Sequence, residues 1–529
     1  MPTDLCSQAS WSRWGWRVLA LVVLFWPGDA ALAVNAPGRL TSPAGAVLAA
    51  SIVPLVARGI QLVGPAGMAT DSAGTCYLTA SIASPTPIDF QTRKGWPPIR
   101  IASAGDANIY VGKYDAAGNI LWGVGIGDDD PAAGSAQVPV GAAVTSDGKV
   151  ALVGRYRGTM TFGSGTVSSA NEVDFLVGLD AASGKRLWAR SFNQGSNGRL
   201  LKVAANPSSR SARIAVCGVA TMAATQLAGR EASYGGSADA VIGVFDSAGN
   251  KIWAEQLGGP GFETCSALWV DDGGDVWAAG QFDGANLSFR STPSNLVVNG
   301  PSDSFKKWVW VAKFAGAGDG SGKARTLAAT AFTAPRGQAN PQALTTDAKG
   351  DLVVGGTFTA DLLVDGLSAA SAGAEDAFFA KVSGVNPKEA AWLVRFGGDH
   401  AETVAGVQTT AAGDVVAAGS FSASSSGFRK SHKGLDTSGV AALGKAGPVG
   451  ATSPYLMKLD RATGATEYVA SFGEAGSPTG EALGVNRWGK TTDRMSLAGS
   501  FSGKIDFGAA GSVTSAGIMD VYLLTAGLR

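Results

Sequence analysis

Charge is scarce in this sequence. Asp, Glu, Lys and Arg make up 16% of the 529 residues, against about 25% in an ordinary soluble chain. The 42 basic and 42 acidic residues cancel, so no net field draws the protein to nucleic acid or to an anionic bilayer. Histidine occurs only as His400 and His432, and that count excludes a three-histidine zinc site. Four cysteines are too few for a disulfide-dense scaffold. No Gly-x-Ser-x-Gly elbow is present. The stretch Gly318 to Lys323 has Ala317 where a phosphate loop needs its first Gly, and Ala324 where it needs Ser or Thr, so it is a flexible loop. Helical periodicity is missing beyond the N-terminal segment, and no later apolar run is long enough to span a bilayer as a helix.

That N-terminal segment has the form of a signal peptide over residues 1–33. Arg13 and Arg17 precede the apolar run Val18 to Trp26, Pro27-Gly28 breaks it, and Ala31-Leu32-Ala33 is a small-x-small cleavage site. The expected destination is extracellular, periplasmic or cell-envelope associated. Residues 34–45 form a flexible leader without periodicity. Cys76, Cys217 and Cys265 remain after cleavage. Cys217 and Cys265 fall in neighbouring repeats and could pair in an oxidising compartment, but free buried thiols are the favoured reading.

Glycine, by contrast, is abundant: 74 residues, about twice the usual frequency. Much of it punctuates one phrase, clearest as Gly413-Asp414-Val415-Val416-Ala417-Ala418-Gly419-Ser420-Phe421. The phrase returns at Gly274 to Phe282 and Gly350 to Phe358, and more loosely at Gly74 to Ile82, Gly148 to Tyr156, Ile214 to Gly218 and Asp493 to Phe501. Seven copies over one chain mark a repeat array. Around each copy lie four short strand-like pieces. The third opens on an Asp (Asp106, Asp174, Asp239, Asp303, Asp376, Asp520), and the fourth carries an aromatic such as Trp122, Trp188, Trp253, Trp392 or Tyr468. One Asp per unit cannot converge on a single ion, so these are expected to accept backbone N–H groups of the preceding turn. The phrase is apolar on both faces, as in a strand covered on both sides. The expected fold is all-β: residues 46–529 as a seven-bladed β-propeller of four-stranded blades. The last unit lacks a fourth strand, and residues 46–57 are expected to supply it, closing the ring.

The pattern Phe-Gly-Gly, an acidic residue, Gly-Asp-Val-x-x-Ala-Gly-x-Phe and Asp-x-Phe, strongest over 258–398, resembles the bacterial seven-bladed β-propeller repeat proteins termed SBBP. The resemblance implies a propeller and export, and transfers no catalytic residue. Leu179 to Trp188 is also similar to the tryptophan-docking motif of quinoprotein propellers. Those enzymes close eight blades and hold their quinone beside adjacent cysteines, which this chain lacks, so the tryptophans are expected to pack between blades and no cofactor is expected.

Binding residues concentrate on loops carried by a rigid scaffold. Three insertions stand out: Arg93, Lys94, Trp96 and Arg100 after the second strand of unit one, Arg429, Lys430 and Lys433 in unit six, and Asp128-Asp129-Asp130 after a fourth strand. Loops after strands two and four emerge on the same side of a propeller, so all three are expected on one long-loop face. The aspartates are read as a solvated acidic loop, with calcium as the alternative. Basic residues beside Trp96 suit an acidic or sugar-containing surface ligand. The expected function is a monomeric, non-enzymatic scaffold that binds a surface polysaccharide or protein; the alternative is a lyase or glycosidase acting on polysaccharide, which needs paired carboxylates in an open cleft. N-terminal sequencing of the exported protein is expected to begin at Val34, and full-length chain in the cytoplasm would count against the export signal.

Overall fold

The computed structural model describes residues 40–528 except 42–46, 56–59, 63–66, 84–87, 91–98, 102–107, 116–117, 128–135, 163–164, 194–197, 222–225, 229–236, 285, 290–294, 302–304, 399, 423–451, 472–481, 487–492, 508–511 and 516–519. Every regular element among them is a strand. The chain is an all-β propeller.

Six blades are four antiparallel strands wide. In blade one, Ile60–Leu62 and Met68–Thr70 share the inner edge beside Cys76–Ala83, Asn108–Tyr114 and Ile120–Ile126. Blade two runs from Ala136–Val144 through Lys149–Phe162 and Gly165–Asp180 to Arg186–Phe192, and blade three from Arg199–Ala204 through Arg213–Ala220 and Asp239–Asp246 to Lys251–Leu257. Blade four comprises Ala267–Val270, Val276–Phe282, Trp308–Phe314 and Thr326–Phe332. Blade five comprises Ala339–Thr346, Leu352–Phe358, Asp376–Val382 and Ala390–Phe396, and blade six Gly406–Thr409, Val415–Ser422, Thr452–Leu459 and Thr466–Ser471.

A seventh four-stranded blade does not follow, and the count of such blades is six. The remaining large sheet has five strands drawn from both ends of the described chain: Ala482–Asn486, Asp493–Phe501, Asp520–Leu528, Val47–Leu55 and Leu40–Thr41. Val53 lies opposite Leu523 and Pro54 opposite Tyr522, so the N-terminal strand pairs where the repeat left an edge. A bare edge of N–H and C=O groups is itself a liability. Leu40 and Thr41 fold back onto Leu48 and Val47 and cover part of it, which is why this sheet is five strands wide. Pro54 sits beyond that cover, on an outer strand, where proline is tolerated.

The first strands neighbour one another around the axis, including Ala482–Asn486 beside Met68–Thr70. Second strands supply apolar side chains to both flanking seams. Val415, Ala417 and Phe421 join the core shared with blade five, while Val416 and Ala418 join Met495, Leu497 and Tyr522 of the end-spanning sheet. The opening Gly of the phrase ends a turn: Gly74, Gly148, Gly274, Gly350 and Gly413 all have φ between 76° and 93°, where a Cβ is penalised. In the same turn Asp71, Asp271 or Asp347 accepts N–H groups two and four residues on, as from Gly273 and Asp275 at 2.9 Å.

Blades are also joined by tryptophans. Trp122 of blade one donates from Nε1 to Ala181 O in blade two at 3.1 Å, Trp188 to Ser247 O at 2.9 Å, Trp253 to Gly316 O at 3.2 Å and Trp392 to Arg461 O at 3.3 Å. Each ring lies on a glycine of the next blade's last turn. A Cβ on Gly184, Gly249, Gly318 or Gly464 would stand 2.6–2.8 Å from ring carbons. Cys217 and Cys265 correct the free-thiol expectation: they are disulfide-bonded, with Cα atoms 5.6 Å apart, across the seam between blades three and four. Sequence spacing says nothing about distance, and the register between these blades supplies it. Among the described residues Cys76 is free and buried. Trp253 is fully buried, so Trp253→Ala is expected to cost about 3–5 kcal/mol in chemical denaturation; a loss below about 1 kcal/mol, the range of ordinary surface substitutions, would show that this latch holds nothing.

Candidate functional site

The connections between second and third strands build one face. Ile88–Phe90 pairs with Ile99–Ile101, Leu287–Phe289 with Leu296–Val298, Asp361–Val364 with Leu367–Ala370, and Lys504–Asp506 with Ser512–Thr514. In blade two the strands run on past the sheet, with Gly158 opposite Ser169 through to Phe162 opposite Gly165. These five β-ribbons form a crown. Their inward residues, among them Phe289, Leu362, Ile505 and Met160, are fully buried, which ties each ribbon to the core beneath.

Of the expected site residues, Arg100 lies on the ribbon of blade one, paired in register with Asp89. Arg93, Lys94, Trp96, Asp128, Asp129, Asp130, Arg429, Lys430 and Lys433 lie outside the described residues, as does the segment 1–33. What sequence reasoning missed is the crown of blades four and five. Phe305 is 84% exposed and Val297 57% exposed, in the segment between the second and third strands of blade four. Phe305 is followed by Lys306 and Lys307. Lys307 stands 4.5 Å from the centre of the Phe262 ring, and the Phe305 carbonyl accepts from Gln338 Nε2 at 3.0 Å. Arg336 pairs with Asp361 at the root of the next ribbon, and that hydrogen bond holds the Asp361 carboxyl below its ordinary range. An aromatic beside cations was the chemistry expected around Trp96. Ser304-Phe305-Lys306-Lys307 carries it too, in a connection as long as that of blade one, so its length was a signal that sequence reasoning passed over.

Below the crown, the recurring aspartates depart from expectation. Asp376 does accept from Ala372 N in the preceding turn, at 2.9 Å. Asp174 accepts instead from Leu200 N of the next blade at 3.0 Å, and Asp239 from the Gln256 side chain at 2.9 Å. Each Asp is at most 2% exposed, and burial makes it take whichever donor is near: the next blade's backbone for Asp174, a fourth-strand side chain of its own blade for Asp239. Burial pushes Asp174 up to about 7 despite the Leu200 bond. Two seams hold a second acid. Glu263 is pushed up to about 7 by burial, with Asp239 and Asp283 adding to it. Glu402 is pushed up to about 8 by burial and by Asp376, while accepting from Gly398 N at 3.3 Å. Glu402 is 1% exposed, so this acid pair sits in a closed seam. A third acidic group, Asp414, Asp460 and Glu467, surrounds an ammonium: Lys458 Nζ is 2.8 Å from both Asp414 and Glu467.

No family model matches the chain, and no curated protein matches it. Among solved structures it is similar to the quinohemoprotein alcohol dehydrogenase of Comamonas testosteroni, at 12% identity over 89% of this chain and 76% of that one, with a TM-score of 0.37. A protein of unknown function from Dyadobacter fermentans shares 11% identity over 73% of this chain and 93% of its own, with a TM-score of 0.34. BamB from Moraxella catarrhalis shares 14% over 69% and 96%, with a TM-score of 0.26. At these scores the likenesses carry no argument about binding or activity.

The raised Glu402 makes a pH prediction. The unfolded carboxyl ionises near 4.5 and the folded one near 8, so between those values the folded state holds a proton that the unfolded state has released. Stability contributed here is therefore full below about 4.5 and lost as pH rises through 8. Glu402→Gln keeps an acceptor for Gly398 and removes the titration. Its melting temperature is expected to exceed that of the parent at pH 8.5 and to match it near pH 4.5; equal melting temperatures at both would show that Glu402 is not held neutral.

Proposed function

We propose that the protein is an exported, non-catalytic propeller that binds a surface polysaccharide or protein through its crown. In this reading the end-spanning sheet serves as a seventh blade, making a seven-bladed ring that acts as a monomer. The observation that carries the proposal is the exposed Phe305, flanked by Lys306 and Lys307, on a crown whose ribbons are anchored by buried side chains. The Phe305 ring is largely in water, and Lys306 and Lys307 beside it are part-buried, Lys307 over the Phe262 ring. Together they offer a stacking face for a sugar ring and charge for acidic groups. The family resemblance and the signal-like N-terminus support an extracytoplasmic setting, where such polymers are found.

A polysaccharide-cleaving enzyme is the second reading, favoured by the raised carboxyls of Glu263 and Glu402. Retaining and inverting glycosidases need both acids open to substrate, and these lie in closed seams between blades. The binding scaffold is therefore preferred. Mature protein is to be titrated with alginate, polygalacturonate, a neutral glucan and purified peptidoglycan, in parallel with Phe305→Ala/Lys306→Ala. The expected result is saturable binding to an acidic polymer that weakens at least about tenfold, or 1.4 kcal/mol, in the variant with its melting temperature unchanged. Equal affinity in the variant, or release of reducing ends from any polymer, would overturn it.

A further inference from the structure

The first strands of the six blades and of the end-spanning sheet surround a cavity of about 140 Å3 on the propeller axis. Its wall is mostly Ala, Val, Leu and Gly, with Trp269 on one side. Lys202 is the one charged residue among the described residues that line it, and no carboxylate stands opposite. Lys202 makes no ion pair or side-chain hydrogen bond with a described residue. The side chain is part-buried, so its ammonium sits at the cavity wall with no counter-charge from the described residues, where an anion can supply one.

The position makes the lysine more unusual. Four residues before the residue that opens each first-strand turn, the other five blades have Gly67, Gly141, Ala267, Ala343 and Gly406. Small residues fit there because the inner strands crowd: a Cβ on Gly406 would already lie 2.8 Å from Leu483. Blade three alone places a long cationic side chain at this level. The strand register slips between Leu200 and Lys202, as it does at the matching place in blades two and five, and such bulges re-aim side chains.

Two amides complete the set. Gln342 is the bulged residue of blade five. Its Oε1 accepts from Val404 N at 2.8 Å, which fixes the amide orientation and leaves Nε2 as the end free to donate. Gln408 of blade six lines the same space. A donor-only ammonium and two amides match the acceptor-only oxygens of a small oxyanion.

We propose that this axial cavity binds a small oxyanion, a carboxylate or phosphate, through Lys202, Gln342 and Gln408. A water molecule takes about 30 Å3, so the space suits a ligand of a few heavy atoms and not a polymer chain. Burial pulls the Lys202 ammonium down to about 8. Binding therefore holds at pH 7, where the side chain is mostly charged, and fades as pH rises above 8. No other titratable group lines the cavity among the described residues. The site is separate from the crown, so it stands or falls independently of polymer binding there.

The test is calorimetric titration of the mature protein with malonate and, separately, with inorganic phosphate, at constant ionic strength. Saturable one-to-one binding of either at pH 7 is expected, with affinity at least about tenfold weaker at pH 9.5 and at least about tenfold weaker in Lys202→Met. Which anion binds distinguishes a carboxylate from a phosphate ligand. Lys202→Met without anion is expected to melt no lower than the parent, since an unpaired charge has gone. Should that variant fail to fold, Gln408→Leu decides, with at least about threefold weaker binding expected. No saturable binding of either anion, affinity indifferent to pH, or affinity unchanged in the variant that folds would overturn the proposal.

Discussion

The interaction on which the ring depends is a backbone carbonyl in the last turn of blades two, three, four and six, approached by donors from the blade before. Ala181 O receives Trp122 Nε1 and also Lys113 Nζ, at 2.9 Å. Arg461 O receives Trp392 Nε1 and Lys381 Nζ, the latter at 3.2 Å. Gly316 O receives Trp253 Nε1 and the Arg213 guanidinium. A carbonyl has two lone pairs, so one acceptor can take a fourth-strand indole and a cation together. Strand-three ammoniums are paired with a carboxylate as well: Lys381 Nζ contacts Asp347 at 2.7 Å, and Lys313 Nζ contacts Asp271 at 3.0 Å. Asp271 and Asp347 also cap the strand-one turns, so turn geometry, ion pair and blade-to-blade latch share the same few residues.

That coupling explains why the Gly-Asp phrase is repeated with so little change. Its Gly adopts the positive φ that closes the turn, its Asp supplies a carboxylate near the strand-three lysine, and the apolar residues that follow fill both seams. Changing one member disturbs the others. Where the latch is missing, other bonds take over. Blade four has Ala328 where the other fourth strands carry an aromatic. Its seam with blade five is held by a core that includes Trp269, Trp277, Phe358 and Phe378, and by Trp269 Nε1 donating to Thr346 Oγ1 at 2.9 Å. Between blades three and four the Cys217–Cys265 disulfide adds a covalent tie.

Periodic features were legible in the sequence because repetition averages out local ambiguity. The alternation of Val415, Ala417 and Phe421 against Val416 and Ala418 identified a strand covered on both faces, and the absent last strand pointed to residues 46–57. Features that occur once, or that depend on distance between blades, were not legible. The disulfide follows from the register of two neighbouring blades. The ribbon Leu287–Phe289 with Leu296–Val298 is three residues long on each side, too short to show a period. The acids Glu263 and Glu402 follow a Gly-Gly pair in sequence, but their raised protonation comes from burial against Asp239 and Asp376 of the preceding blade. The width of the closing sheet depends on Leu40 and Thr41, in a stretch with no pattern of its own.

The two ends of the propeller are under different constraints. At one end, the turns between strands one and two and between three and four are short, glycine-bound and occupied by latches, so a ligand site there would compete with the bonds that hold the ring. At the other, the connections are free to lengthen, and five of them have become ribbons whose outward residues are not needed by the core. Evolution of binding on such a scaffold is least costly where side chains are not already used for closure, which is the crown. The axis is intermediate: its inner strands are bound by crowding to small residues, and Lys202 breaks that rule. A lone cation at a position where five other blades hold Gly or Ala is difficult to derive from packing, because packing alone would favour another small residue. The departure is therefore better explained by a ligand that fills the space and supplies the missing charge than by the architecture of the ring.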